Sequence, residues 1–87
     1  MKVRVKFTGA TCKKFSLTDV WLFLHDDARV KDVFTKLEKE WGITINSQDT
    51  SITVLLNGRR LEFVGDSKAK LKDMDEIVVM PIIAGGL

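Results

Sequence analysis

The chain predicts an α+β fold: a mixed sheet of about five strands with one main helix packed on one face. Three observations carry this expectation. Residues 3–7 alternate, with Val3, Val5 and Phe7 on one face and basic residues between them, the period of a half-buried strand. A single stretch carries an apolar stripe at helical spacing: Val30, Val33, Phe34, Leu37 and Trp41 fall at i, i+3, i+4, i+7 and i+11. Asn57-Gly58 stands between two apolar runs, the strongest short-range signal for a β-hairpin.

The elements follow in order. "KVRVKFT" is the first strand and "GATCKK", with Gly9, a turn region. "FSLTDVWLFL" is a second strand, antiparallel to the first. We place Val20, Leu22 and Leu24 inward and Trp21 and Phe23 outward, because that register leads most directly into the helix; a slip of one residue would reverse the two sets. The helix lies within "HDDARVKDVFTKLEKEWGI". Asp26 and Asp27 stand where they can cap it or favour its dipole, and Gly42 stands where a helix-ending glycine belongs. "TINSQDTS" is a polar loop. "ITVLLNGRRLEFV" is a hairpin, "GDSKAKLKDMDE" a charged loop with one helical turn, and "IVVMPII" the last strand. Pro81 has no N–H to give a ladder, so pairing should stop or reach an edge there.

The order is thus β-β-α-β-β-β, with the first and last strands side by side and parallel in the sheet centre. This is the β-grasp, or ubiquitin-like, arrangement. We expect one domain over residues 1–81 and a flexible Gly-Gly tail over residues 82–87.

The totals exclude several function classes. A chain of 87 residues holds one modest core. No apolar run approaches the roughly 20 residues of a membrane span, and the alternating N-terminus reads as a strand rather than a signal peptide. The expected location is the cytoplasm, with no membrane partner. A net charge of +2 is too small to argue for nucleic acid. One cysteine, Cys12, excludes an internal disulfide and any multi-cysteine metal site. Nothing resembles a catalytic constellation: His25 has no serine, cysteine or metal-ligand set to work with and reads as a residue at the helix start, Cys12 has no paired base nearby, and "KLEKEW" is an exposed helix face with opposite charges in reach of one another. We expect no enzyme, no bound metal and no bound cofactor.

Two glycines, Gly85 and Gly86, stand near the end of the chain, followed by Leu87. Together with "LLNGRRL" (55–61), "LKDMDEIVVMPIIAGG" (71–86) and the helix start "ARVKDVF" (28–34), they make the chain resemble the ubiquitin-like sulfur carriers and modifiers. The branch is that of the molybdopterin synthase small subunit, ThiS and the small archaeal modifier proteins. Met74 replaces the glycine usual in that family's turn. The resemblance implies that the chain is a substrate of an ATP-dependent, E1-like adenylating enzyme, which uses ATP and Mg. The reactive group would be the C-terminal carboxyl of Gly86, carried on the tail Ala84, Gly85, Gly86. Glycine, lacking a Cβ, makes a thin and unhindered end that passes through a narrow channel. The resulting acyl-adenylate would become a thiocarboxylate that donates sulfur, or would pass to a lysine of a target protein. The partners implied are the adenylating enzyme and either a molybdopterin synthase large subunit or target-protein lysines.

Leu87 complicates this, because an amide is not adenylated. Either a protease cuts between Gly86 and Leu87, or Leu87 is a remnant of a cloning tag, or the protein never conjugates and is a β-grasp interaction module. In that module the partner surface would be the whole function. The alternation predicts such a surface: Leu55, Val78 and Met80 on the open face of the sheet, with Ile82 and Ile83 of the tail gripped alongside. Lys2, Arg4 and Lys6 would form a basic stripe beside it.

Overall fold

The computed structural model describes residues 1–46 and 48–82. The strands are β1 (Lys2–Phe7), β2 (Asp19–Phe23), β3 (Ile52–Leu56), β4 (Arg59–Arg60) and β5 (Glu76–Pro81), and the helices are α1 (Ala10–Phe15) and α2 (Val30–Trp41). The sheet order is β2-β1-β5-β3-β4. β1 and β5 are parallel at its centre, with Val5 beside Ile77 and Phe7 beside Val79, and the other neighbours are antiparallel. This is the predicted β-grasp fold.

The core lies between the sheet and α2. Val3, Val5, Ile77 and Val79 from the two central strands, and Val30, Val33 and Leu37 from α2, are all fully buried. Strand alternation delivers the first group and helical spacing the second. Val20 and Leu22 of β2 and Val54 and Leu56 of β3 complete the inner face, in the predicted register.

α2 starts at Val30 rather than near Asp26. Its first turn is closed from inside by Asp32, whose Oδ2 accepts the Arg29 N–H at 2.8 Å. Asp26 points into solvent and pairs instead with the Met1 amino group at 3.4 Å. Gly42 ends the helix at φ +67°, and the Ile43 N–H reaches back to the Leu37 carbonyl at 3.2 Å. This six-residue return tucks Ile43 into the core. Trp41, predicted to end the buried stripe, is therefore about half exposed (48 %).

Two further expectations are corrected. Residues 10–15 form a short helix, not a turn, and Phe15 packs there on Phe7 with ring centroids 5.4 Å apart. The stretch is too short to show helical periodicity in sequence. The hairpin at Asn57-Gly58 is present, both residues having positive φ (51° and 84°) as its tight turn demands. Its second strand is only Arg59–Arg60, however, because Leu61 turns into the core and opens a 3-10 turn over Leu61–Phe63. A further helical turn, Asp66–Lys68, falls in the charged loop where one was expected.

Candidate functional site

Ala84, Gly85, Gly86, Leu87 and Ile83 lie outside the described residues. What the structure shows is how the chain reaches them. β1 stops pairing with β5 at Val79, and there the Thr8 N–H closes the ladder on the Val79 carbonyl at 3.0 Å. The same carbonyl accepts Thr11 Oγ1–H at 3.0 Å. Thr11 is buried, belongs to α1, and shares its one hydroxyl proton between the Val79 and Thr8 carbonyls. α1 thus clamps the end of β5.

Pro81 comes two residues later. On the β1 side no ladder bond is left for its missing N–H to break. On the other side it pairs with Ile52, and the Ile82 N–H donates to the Ser51 carbonyl at 3.1 Å. Pairing with β3 therefore runs one residue past the proline. Gly9, at φ +58°, lies against the proline ring: a Cβ built there would meet Pro81 Cγ at 3.1 Å. Gly9 is the glycine this close approach requires. Ile82, the last described residue, is 40 % exposed.

The open face of the sheet carries side chains in rows. Trp21 and Phe23 come from β2, Lys2, Arg4 and Lys6 from β1, Glu76, Val78 and Met80 from β5, and Thr53 and Leu55 from β3. Leu55 stands directly beside Val78, and Met80 beside Thr53. These three apolar residues are half-buried rather than freely exposed. β5 is the central strand, so its side chains are flanked on both sides by those of β1 and β3.

The basic stripe is partly neutralised. Arg4 Nε donates to both Asp19 carboxylate oxygens at 3.0 and 3.1 Å, and Nη2 makes a further contact with Oδ2. The hydrogen bond from Arg4 holds the Asp19 carboxyl below the usual carboxylate range. Lys2 Nζ and Arg4 Cζ both lie over the Trp21 ring, 5.0 and 5.7 Å from its centroid.

Of the other residues considered, His25 is exposed at the helix start, with Nε2 3.8 Å from Asp32 Oδ2. Cys12 sits half-buried in α1 with its thiol directed at the Phe7 carbonyl. Lys36 and Glu40 form the expected one-turn ion pair at 2.9 Å. Among the described residues no three His, Cys, Asp or Glu side chains are grouped to hold a metal ion, and no helix is long and apolar enough to cross a membrane. Thr11 is the positioning residue that sequence reading missed, because its helix was read as a turn.

The sequence profile of the ThiS family matches residues 5–86. The chain belongs to the ThiS family. The matched region ends at Gly86 and leaves Leu87 outside it. No curated protein sequence matches at a significant level.

Solved structures agree on the fold. The Haloferax volcanii HVO 2177 protein is 30 % identical, with a TM-score of 0.72 over 99 % of this chain and 87 % of that one. The modifier protein SAMP1 of Haloferax volcanii is 18 % identical, with a TM-score of 0.73 over 99 % and 100 %. A subunit in the complex of subunits 1 and 2 of molybdopterin-converting factor from Helicobacter pylori is 22 % identical, with a TM-score of 0.64 over 99 % and 100 %. Small ubiquitin-like proteins of the ThiS type are carriers or subunits, not catalysts themselves.

Proposed function

We propose that this ThiS-family protein is a carrier whose Gly86 carboxyl, once Leu87 and anything beyond it is removed, is adenylated by an E1-like enzyme in the cytoplasm. The observation that carries this reading is the family match ending at Gly86, with Gly85-Gly86 following a β5 strand anchored by α1 and β3. The chain itself supplies the carboxylate. The activating enzyme supplies ATP and Mg. The carboxylate attacks the α-phosphate, pyrophosphate leaves, and an acyl-adenylate forms. The outer sulfur of a persulfide attacks the acyl carbon and AMP leaves; a thiol then cleaves the S–S bond of the acyl disulfide, itself becoming part of a disulfide, and releases a thiocarboxylate, which donates sulfur in molybdopterin, thiamine or tRNA thiolation chemistry. The same adenylate, taken by a lysine amine, would make the chain a protein modifier. The sulfur-carrier route is favoured by the "MPIIAGG" ending, and a large subunit of the molybdopterin-converting type is then the receiving partner.

The chain ending at Gly86 and the chain ending at Leu87 should be incubated separately with the adenylating enzyme, ATP, Mg²⁺, a persulfide donor and a thiol reductant. Intact mass should show an oxygen-to-sulfur gain for the first and no change for the second. Heavier conjugates in place of that gain would assign the modifier route. If neither chain is activated and Leu87 persists on protein isolated from its own cells, the β-grasp interaction module is the correct reading.

A further inference from the structure

We propose that α1 is a positioning device for activation: it holds the base of the tail from two sides, and by fixing where the chain leaves the domain it sets the rate at which the Gly86 carboxylate is adenylated. Thr11 is its central positioning residue. The inference rests on the carrier reading given above.

The first arm is direct. The Thr11 hydroxyl lies between the Thr8 carbonyl, on the chain entering α1, and the Val79 carbonyl of β5, 3.0 Å away. Neither carbonyl depends on it. Val79 already accepts the Thr8 N–H at 3.0 Å, and Thr8 already accepts the Thr11 N–H at 3.2 Å. The buried hydroxyl therefore adds a tie between helix and strand and rescues no orphaned backbone group. Beyond Val79 the strand has lost β1 as a neighbour, and there Gly9 lets the chain entering α1 lie against the Pro81 ring.

The second arm reaches the same point from β3. The Ile82 N–H donates to the Ser51 carbonyl at 3.1 Å. Ser51 gives its hydroxyl and its N–H to Asp49 Oδ1 at 2.7 and 2.8 Å. The other Asp49 oxygen accepts from Lys14 Nζ at 3.1 Å, and Lys14 belongs to α1. The path closes on itself: α1 to β5 through Thr11, β5 to Ser51 through Ile82, and back to α1 through Asp49 and Lys14.

The tether beyond this ring is short. Four residues, 83–86, separate Ile82 from the reactive carboxyl, at most about 14 Å of extended chain. An error at its base is carried through to its end. Adenylation requires a carboxylate oxygen in line with the α-phosphorus of ATP and the leaving pyrophosphate, and a misplacement of about 1 Å can cost about a hundredfold in rate. Thr11 is buried, so it touches no partner and acts through the strand. Its loss should therefore appear in kcat and not in KM.

The test is ATP–pyrophosphate exchange by the adenylating enzyme, with the chain ending at Gly86 as the varied substrate. Thr11→Val should lower kcat roughly tenfold and leave KM within about twofold. Thr11→Ser, which keeps the hydroxyl, should restore kcat. Thermal melts confirm that each variant is folded at the assay temperature. Asp49→Ala loosens the second arm at an exposed loop and should lower kcat in the same sense, a reading that stands even if Thr11→Val fails to fold. The deciding comparison inserts Gly-Gly between Ile82 and Ile83. The longer tether should lower kcat by itself, and adding Thr11→Val to it should then change little, because both changes act on one quantity. A Thr11→Val chain that keeps its kcat, that loses only KM, or that loses the same factor in the lengthened chain would overturn the inference, as would an unchanged kcat for Asp49→Ala. Exchange that is absent even with the unmutated chain would instead overturn the carrier reading, and this inference with it.

Discussion

Asn57 Nδ2 donates to Asp75 Oδ1 at 2.9 Å, while Asn57 Oδ1 accepts the Glu76 N–H at 2.9 Å. The turn that joins β3 to β4 is thereby locked to the loop that leads into β5. The other Asp75 oxygen accepts the Lys72 N–H at 2.8 Å, and the Asp75 carbonyl accepts the Arg4 N–H at 3.0 Å. The motifs "LLNGRRL" and "LKDMDE", far apart in sequence, are two halves of one polar junction built on the buried Asp75. Replacing Asp75, which is 7 % exposed, by alanine strips the Asn57 side-chain amide and the Lys72 N–H of their acceptor. A loss of about 2–3 kcal/mol is expected, read from the urea midpoint at unchanged slope.

Met74 adopts φ +72° beside that junction, and its N–H donates to the Lys2 carbonyl at 2.7 Å. A left-handed backbone costs a residue with a Cβ about 1–2 kcal/mol, and glycine returns part of any gain through its freer unfolded chain. Met74→Gly should therefore stabilise the fold by about 0.5–1 kcal/mol. Met74→Ala, which keeps the Cβ, should bring no such gain. Thermal melts of the two variants side by side separate relief of backbone strain from loss of the exposed side chain.

Asp49 accepts from the Ser51 hydroxyl and Ser51 N–H at 2.7 and 2.8 Å, and Lys14 of α1 lies 3.1 Å away. The Ser51 side chain, the Ser51 backbone and then Lys14 lower its carboxyl pKa to about 2. A depressed carboxyl stabilises the fold above its unfolded value and loses that contribution as pH falls through the folded value. Asp49→Asn should therefore lower the melting temperature at neutral pH and converge with the wild type near pH 2. An NMR titration of the Asp49 carboxyl that gave an ordinary midpoint would contradict the geometry.

Leu55 and Met80 flank Val78 on the open face. If this face docks the activating enzyme, Leu55→Ala and Met80→Ala should each weaken binding about tenfold, while the half-buried positions cost the fold about 1 kcal/mol. Calorimetric titration against the enzyme, with urea unfolding of each variant, checks both figures. Truncations that leave affinity unchanged would move the docking site elsewhere.

The residues that alternate or recur at helical spacing were legible before any coordinates. Val3, Val5 and Phe7, the α2 stripe up to Leu37 and the Asn57-Gly58 turn each carry a local signal whose period or chemistry admits few readings. The β2 register was not decided by the sequence, since the other phase would bury Trp21 and Phe23 instead; pairing with β1, which sets Val20 beside Val5 and Leu22 beside Val3, decided it. Three further features needed the tertiary structure. α1 is too short to show a period, so only its packing on β5 reveals Thr11 holding the Val79 carbonyl. Trp41 matched the stripe but lost the core to Ile43, since the backbone after Gly42 folds the next residue inward. The separate motifs at Asn57 and Asp75 became one junction only once β3 and β5 were side by side. Sequence by itself determined what is periodic or chemically distinctive along the chain; contacts between residues far apart in the chain decided the rest, because pattern along a strand or helix says which face is apolar and not which distant group that face will meet.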